Sequence, residues 1–320
     1  MSEAFILLSS PPTIFVQDEI RGFADKVIDP WASEAPQSTI ESKAHSVRAI
    51  INCNSRLSIN AEYMQSFPKL EFIASHGVGY DNIDAVWAAQ NGIMVTNTPD
   101  VLTEDVADLA MGLLLSTVRM VPQADRFVRS GGWRKGPFPL SASLQGRRIG
   151  IVGLGRIGRA IARRAEAFDI AISYHGRQRQ AHVDYDYYAD LLSMAKDCDI
   201  LIVAAPATPL TRHIINAEVL KALGPTGVLI NVSRGSLVDE DALIQTLTSG
   251  TISAAGLDVY EDEPNVSATL IDLQNVVLLP HIGSATTNTR KAMAQLVAAN
   301  VRAWLSGHDP LTPVPECSGF

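Results

Sequence analysis

Near the middle of the chain, residues 148–158 read RIGIVGLGRIG. The apolar run up to Val152 predicts a buried strand, and residues 159–168 predict a helix. Between them lies the spacing Gly-x-Gly-x-x-Gly. Gly153 would allow a tight turn, Gly155 a close approach of the backbone to a pyrophosphate, and Gly158 close packing of helix on strand. The positive end of the helix would then bind the phosphates.

The context of these glycines decides between two interpretations. A tight turn between a strand and a helix favours glycine even where no ligand binds. Here a second apolar run at residues 170–174 follows the helix, as a strand–turn–helix–strand unit requires. We therefore expect a dinucleotide-binding domain.

Length and charge restrict what else the chain can be. With 320 residues it is long enough for two domains, and its net charge of -8 argues against a nucleic-acid partner. Cys53, Cys198 and Cys317 are far apart and odd in number, which is typical of reduced thiols rather than of disulfides or metal ligands. The first residues lack a signal peptide, and no apolar segment approaches the length of a membrane span, so we expect a soluble cytoplasmic protein.

Short apolar runs recur along the whole sequence and predict parallel strands with helices between them. They occupy residues 5–10, 47–53, 70–75, 93–97, 148–152, 170–174, 200–205, 228–232, 254–259 and 276–279. The predicted fold is α/β, with two Rossmann-like domains, one flavodoxin-like and one dinucleotide-binding, parallel sheets and a cleft between them.

The domain boundaries follow from two long amphipathic helices. The first is predicted from Thr103, as N-cap, to about Met120, and leads into a dinucleotide-binding domain of residues 101–287. The second, residues 288–305, would return to a discontinuous substrate-binding (catalytic) domain of residues 1–100 and 288–320. Trp133 and Phe138 lie on a loop after the first helix, where either a contact with a second subunit or packing within the domain explains them.

The end of the second nucleotide-domain strand indicates which dinucleotide binds. A carboxylate there would bind the ribose hydroxyls of NAD, but residues 174–179 read YHGRQR and contain none. Arginine pairs with a 2′-phosphate in bidentate fashion. We therefore predict NADP as the preferred cofactor, with Arg177 and Arg179 as phosphate ligands; the alternative is that both arginines are merely solvated.

Three polar residues follow predicted strands of the nucleotide domain: Arg234, Glu263 and His281. Reduction of a 2-oxo acid needs this chemistry. His281 would donate a proton to the carbonyl oxygen, Glu263 would hydrogen-bond to the second ring nitrogen and stabilise the imidazolium, and Arg234 would bind the substrate carboxylate. Structural roles for a histidine at a strand end and an arginine before a glycine are the plainer alternatives.

A glycine-rich turn in the first half of the chain, HGVGYDNID at residues 76–84, follows the strand at 70–75. The backbone N–H groups of Val78 and Gly79 would bind a carboxylate there. The alternative is a tight turn ending in a helix cap. His76, beside this turn, is a rival proton donor to His281.

Five motifs together resemble the D-isomer-specific 2-hydroxyacid dehydrogenase family. They are GVGYDNID (77–84), GLGRIG (153–158), NVSRGSLVDE (231–240), GLDVY (256–260) and PHIGSAT (280–286). The resemblance implies that Arg234, Glu263 and His281 are catalytic, that Val78 and Gly79 bind the substrate carboxylate with Ser284 near the substrate, and that the active form is a homodimer. It also implies a set of cofactor contacts: Val78, Gly153, Gly155, Arg156, Ile157, Gly158, Arg177, Gln178, Arg179, Ala205, Pro206, Thr211, Val232, Ser233, Asp258, His281 and Gly283.

The segment at 176–179 is similar to that of the glyoxylate/hydroxypyruvate reductase branch of the family, which prefers NADPH. The sequence therefore predicts NADPH-dependent reduction of small 2-oxo acids. The same chemistry on 2-ketogluconate or an aryl pyruvate is a close alternative, and residues 53–56 would decide between them. An NAD(H)-sensing corepressor on the same fold is an alternative of another class. A metal is not expected, since the acidic run at 261–263 has no histidine at ligand spacing.

Overall fold

The computed structural model describes residues 5–53 and 56–319. Asn54 and Ser55, part of the segment predicted to choose the substrate, lie outside the described residues. The chain divides into two units: Met1–Leu102 with Thr286–Phe320 (unit 1), and Thr103–Ala285 (unit 2).

Each unit contains one parallel sheet. The strands of unit 1 are β1 (Phe5–Leu8), β2 (Val27–Ile28), β3 (Val47–Asn52), β4 (Phe72–Ser75) and β5 (Met94–Thr96). Those of unit 2 are β6 (Arg148–Val152), β7 (Ala171–His175), β8 (Asp186–Tyr188), β9 (Ile200–Val203), β10 (Val228–Asn231), β11 (Ala254–Leu257) and β12 (Val276–Leu278). The predicted α/β fold with two parallel sheets is confirmed.

Helices connect the strands. In chain order they are α1 (Ile14–Ile20), α2 (Pro36–Lys43), α3 (Ala61–Gln65), α4 (Ala85–Gln90), α5 (Thr103–Val118), α6 (Val121–Arg129), α7 (Arg156–Glu166), α8 (Leu191–Asp197), α9 (Ala217–Leu223), α10 (Glu240–Thr248), α11 (Ala268–Asp272) and α12 (Thr287–Leu305). Side-chain oxygens cap several of them: Asp84 accepts from the N–H of Trp87, and Thr286 accepts from the N–H of Thr289.

In unit 1 the strand order is β2-β1-β3-β4-β5. The strands β1, β3 and β4 are mostly apolar and almost completely buried, because helices cover both sides of the sheet. One face packs against residues such as Met64 and Ala88, and the other against α12 through Ala294, Val297 and Val301.

In unit 2 the order is β12-β11-β10-β9-β6-β7-β8. All neighbouring strands are parallel, so their carboxyl ends share one edge of the sheet. Loops that follow β6, β9, β10, β11 and β12 therefore meet along that edge.

Some local predictions were wrong. The helix α5 begins at Thr103 itself, so Thr103 is not the N-cap, because its backbone already belongs to the first helical turn. The helix also ends at Val118. Met120 takes a left-handed backbone (φ 54°), and a separate helix, α6, follows with Pro122 in its first turn.

The strands β2 and β8 were not predicted. They have two and three residues and lie at sheet edges, so neither carries an apolar run long enough to recognise. Phe138 is half-buried rather than exposed, because its ring packs edge-to-face on Phe127 with centroids 5.3 Å apart.

Candidate active site

The glycine turn between β6 and α7 has the shape that binding of a dinucleotide needs. Gly153 has φ 95°, and a Cβ there would lie 2.5 Å from the Cα of Ala205. A Cβ on Gly158 would lie 2.2 Å from the carbonyl oxygen of Gly153. On Gly155 it would meet nothing within 4 Å, and no side chain caps the N-terminus of α7. Two glycines are thus required by packing, while the third leaves space in front of uncapped N–H groups, where phosphates bind.

The turn after β7 is attached to the glycine turn by Gln180. Its Nε2 donates to the carbonyl of Leu154 at 2.8 Å, its Oε1 accepts from Arg159, and its backbone N–H donates to the hydroxyl of Tyr174 at 2.8 Å. Arg177 and Arg179 lie on this turn, exposed, and neither makes an ion pair with a residue in the described ranges. Both guanidinium groups are therefore available to an anion.

The loops after β9 and β10 are joined by hydrogen bonds. Ser233 donates from its hydroxyl to the carbonyl of Ala205. Within the loop after β9, Thr211 donates to the carbonyl of Pro206 at 2.8 Å and accepts from the N–H of Thr208 at 2.8 Å. These bonds fix residues 206–211 in a compact turn. Val232 is buried beneath them.

Arg234 is positioned by the buried Asn231 at the end of β10. The Asn231 amide donates to the carbonyl of Arg234 at 2.8 Å, and its oxygen accepts from the N–H of Ser233 at 3.1 Å. Gly235 follows, and a Cβ there would lie 1.9 Å from the carbonyl carbon of Tyr260. Glycine is therefore required for the segment after β11 to pass beside Arg234.

His281 and Glu263 form a hydrogen-bonded pair. The Nδ1 of His281 and the Oε2 of Glu263 are 2.8 Å apart, and the other carboxylate oxygen accepts from the N–H of Tyr260 at 3.2 Å. The Glu263 side chain is 14% exposed and the His281 side chain 33%. Because a carboxylate accepts, Nδ1 carries the proton in this bond, and Nε2 is the ring atom left for a substrate.

Asp258, at the end of β11, holds the backbone on which His281 lies. Its carboxylate accepts from the N–H of Ile282 at 2.7 Å and from that of Gly283 at 2.8 Å. His281 itself has a left-handed backbone (φ 55°). Burial raises the pKa of the Asp258 carboxyl, and the two N–H groups oppose that shift. Asp258 thus fixes the backbone that follows His281. The sequence motif that contains Asp258 did not indicate this role.

In unit 1, Val78 and Gly79 lie between β4 and α4. Their backbone N–H groups donate no hydrogen bond to another described residue, whereas the carbonyl of Val78 accepts from Asn97 at 2.8 Å. The helix cap by Asp84 is also present. The two interpretations of this turn are therefore compatible: the cap fixes the helix and leaves two donors unbonded.

Most predicted site residues of unit 2 lie along one edge of its sheet, in loops that follow β6, β7, β9, β10, β11 and β12. Ser284 is half-buried one residue beyond Gly283. The supporting residues Gln180, Tyr174 and Asn231 were missed, because amide and hydroxyl groups carry no catalytic signature in a sequence.

Residues 111–283 match the model of the D-isomer specific 2-hydroxyacid dehydrogenase NAD-binding domain. The chain belongs to this family. The resemblance of the five motifs is thereby confirmed. Two proteins illustrate how the similarity extends over the whole dehydrogenase chain. Hydroxyphenylpyruvate reductase from Plectranthus scutellarioides is 47% identical over 310 residues, covering 97% of this chain and 98% of that protein. Glyoxylate/hydroxypyruvate reductase A from Arabidopsis thaliana is 46% identical, covering 98% and 100%.

A solved structure is similar to this dehydrogenase throughout. It is the NADPH-dependent glyoxylate/hydroxypyruvate reductase from Sinorhizobium meliloti in complex with NADP and malonate. That protein is 46% identical, with a TM-score of 0.90, and the alignment covers 99% of this chain and 98% of the other.

The described residues provide neither a cluster of metal ligands nor a membrane-spanning helix. No group of three or more His, Cys, Asp or Glu side chains there is arranged to hold a metal ion. Within the same ranges, every helix is too short or too polar to cross a membrane.

Proposed function

We propose that this dehydrogenase reduces small 2-oxo acids such as glyoxylate and hydroxypyruvate to D-2-hydroxy acids with NADPH. The observation that carries the proposal is the His281–Glu263 pair at 2.8 Å, on the same edge of the sheet as the glycine turn. A proton donor and a dinucleotide-binding turn are the two elements that reduction of a carbonyl requires. A corepressor would not need the first.

Each proposed catalytic residue has one task. Bound NADPH would supply a hydride to the carbonyl carbon, and negative charge would develop on the carbonyl oxygen. His281 donates a proton from Nε2 to that oxygen, while Glu263 keeps Nδ1 protonated and stabilises the imidazolium. Arg234 binds the substrate carboxylate through its planar guanidinium, and the N–H groups of Val78 and Gly79 bind it as well.

The residues proposed to hold the cofactor fit a dinucleotide in three respects. The N–H groups at the start of α7 would bind the pyrophosphate beside Gly155, with Arg156 and Ile157 in the first helical turn. Arg177 and Arg179, with Gln178 between them, would bind the 2′-phosphate. The remaining proposed contacts are Ala205, Pro206, Thr211, Val232, Ser233 and Gly283.

The choice of NADPH over NADH is tested at Arg177. In Arg177→Asp a carboxylate repels the 2′-phosphate and accepts from a ribose hydroxyl, so we expect kcat/KM for NADPH to fall about tenfold or more relative to NADH. The variant Arg212→Asp, at an exposed arginine paired with Glu261, is the control. An unchanged ratio in Arg177→Asp contradicts the assignment.

The reaction itself is tested with a panel of 2-oxo acids. Glyoxylate, hydroxypyruvate, pyruvate, phenylpyruvate and 2-ketogluconate are each supplied with NADPH and with NADH, and cofactor oxidation is followed by absorbance. The proposal expects the largest kcat/KM with glyoxylate or hydroxypyruvate and NADPH. Absence of oxidation with every member refutes it and favours the corepressor.

A second substrate class has support from one relative. The similarity to a hydroxyphenylpyruvate reductase favours an aryl pyruvate as the alternative substrate. The phenylpyruvate arm of the panel separates the two, since the chemistry of Arg234, Glu263 and His281 is the same for both.

We further propose that the protein works as a cytoplasmic homodimer. Unit 2 exposes large apolar side chains near α6 and the segment that follows it: Val121, Val128, Trp133 and Leu140. Isolated exposed apolar residues are ordinary, but four within twenty residues are typical of a protein contact. The three free cysteines are consistent with a reducing compartment.

A further inference from the structure

The helix α12 runs antiparallel to β4 in unit 1. Near its end, Trp304 stacks on Phe72, the first residue of β4, with ring centroids 5.4 Å apart. Nearer its start, Arg290 interacts electrostatically with Cys53 and His76, which directly follow β3 and β4. The first turn of α12 therefore lies toward the carboxyl ends of β3 and β4. Arg290, one turn before Ala294, occupies the same helix face.

Arg290 is an unusual cation. It is partly buried, and burial lowers the pKa of its guanidinium. The guanidinium makes no hydrogen bond or ion pair with a residue that the structure describes. It is also the fourth residue of α12, in a first turn where the helix dipole disfavours positive charge. Nothing within unit 1 that the structure describes offsets this cost.

Two groups near Arg290, Cys53 and His76, are neutral at pH 7. Cys53 directly follows β3, and burial raises the pKa of its thiol to about 12. His76 directly follows β4, and burial, with the charge of Arg290, lowers the pKa of its imidazole to about 4. His76 is 8% exposed, and its buried Nε2 has no hydrogen-bond partner among the residues in the described ranges. One cation and one imidazole nitrogen thus lie beside each other, and neither has an anionic partner among the residues that the structure describes.

An oxygen-bearing ligand would satisfy both groups. The N–H groups of Val78 and Gly79, which donate to no other described residue, are only two and three residues beyond His76. A small acid whose carboxylate binds those N–H groups has its C3 substituent within a few bond lengths of them. Arginine binds a hydroxyl or carboxylate oxygen strongly, whereas a methyl or phenyl group there would leave the guanidinium unpaired.

We propose that Arg290, with His76 beside it, forms a subsite for an oxygen-bearing group on C3 of the substrate. It selects 2-oxo acids with a 3-hydroxyl or 3-carboxylate over those with a methyl or aryl group. This inference rests on the proposed function, in which Val78 and Gly79 bind the substrate carboxylate.

The test compares substrates that differ only at C3. Hydroxypyruvate carries a hydroxyl, oxaloacetate a carboxylate and pyruvate no oxygen. In Arg290→Met we expect kcat/KM for hydroxypyruvate and oxaloacetate to fall about ten- to a hundredfold, the range for loss of a hydrogen bond to a charged group. For pyruvate and glyoxylate it should change less than about threefold. Arg290→Lys, which keeps the charge but not the fork, should fall between.

Two controls separate substrate selection from a structural role. Lys291→Met removes the exposed neighbouring cation and should leave every ratio unchanged. The urea midpoint of Arg290→Met should equal or exceed that of the unmodified protein, because a buried unpaired charge has been removed. The inference is overturned if Arg290→Met has a lowered urea midpoint and if its kcat/KM falls equally for pyruvate and hydroxypyruvate. If the unmodified protein reduces none of the panel, the proposed function fails, and the subsite falls with it.

Discussion

Two histidines in unit 2 are hydrogen-bonded to glutamates at 2.8 Å, and only one of the two pairs has a sheltered carboxylate. The Glu263 side chain is 14% exposed, whereas that of Glu261, the partner of His213, is 32% exposed and also binds Arg212. For His281→Asn we expect kcat/KM to fall about 10²- to 10⁴-fold, because the proton donor is lost.

The matched control is His213→Asn, in which kcat/KM should stay within about threefold. Binding of NADPH, followed by fluorescence titration, shows whether the glycine turn is intact in both variants. Equal activity of the two variants would contradict the role given to His281.

His76 makes stability depend on pH. Because the pKa of its imidazole is lowered to about 4 in the fold, the unfolded chain binds more protons between pH 6.5 and 4. Stability is therefore lost as the pH falls through this window. At pH 4.5 the loss from this group is about 2 to 3 kcal/mol. Urea unfolding measures the free energy of unfolding at pH 7 and at pH 4.5. Its decrease between the two should be smaller by this amount in His76→Gln than in the unmodified protein. Equal decreases would mean that His76 is protonated in the fold at pH 4.5.

At the scale of elements, two glycines in the turn between β6 and α7 have different roles: we expect Gly153 to matter for stability and Gly155 for binding of NADPH. Gly153→Ala puts a Cβ 2.5 Å from the backbone of Ala205 at φ 95°, so we expect a loss of at least about 2 kcal/mol in the free energy of unfolding. Gly155→Ala meets nothing within 4 Å and should cost less than about 1 kcal/mol. Its methyl group instead occupies the space proposed for the pyrophosphate, and Kd for NADPH should rise about tenfold or more. Denaturant unfolding and titration measure the two effects; equal NADPH affinity in Gly155→Ala would place the phosphates elsewhere.

At the scale of the whole molecule, the exposed apolar residues of unit 2 predict a dimer. Leu140 is fully exposed, and we expect Leu140→Asp combined with Trp133→Ala to give a monomer, because a charge replaces apolar contact area. Light scattering after size exclusion measures the mass. Leu210→Asp, at a leucine that is 90% exposed elsewhere in unit 2, is the control and should remain dimeric. An unmodified protein that elutes as a monomer contradicts the prediction.

Much of the fold was predictable, because parallel strands that are covered on both faces consist of consecutive apolar residues, which are easy to recognise in a sequence. The runs at residues 148–152 and 200–205, for example, coincide with β6 and β9 to within two residues. The strands β2 and β8 were not predictable, because β2 has only two residues and β8, with the sequence DYY, has no apolar run. The start of α5 was misjudged by one residue, because a sequence pattern does not distinguish the N-cap from the first residue of a helix.

The candidate site divides in the same way. From sequence alone come the glycine turn, the absence of a carboxylate after β7, and the choice of Arg234, Glu263 and His281, because these depend on residue type and on position after a strand. The tertiary structure alone decides that Glu263 reaches Nδ1 of His281, that Asp258 binds the backbone N–H groups that follow His281, and that Arg290 lies by His76 with no counter-ion among the described residues. Such contacts join residues distant in the chain, and the packing of the surrounding strands and helices, which no local pattern encodes, sets their distances.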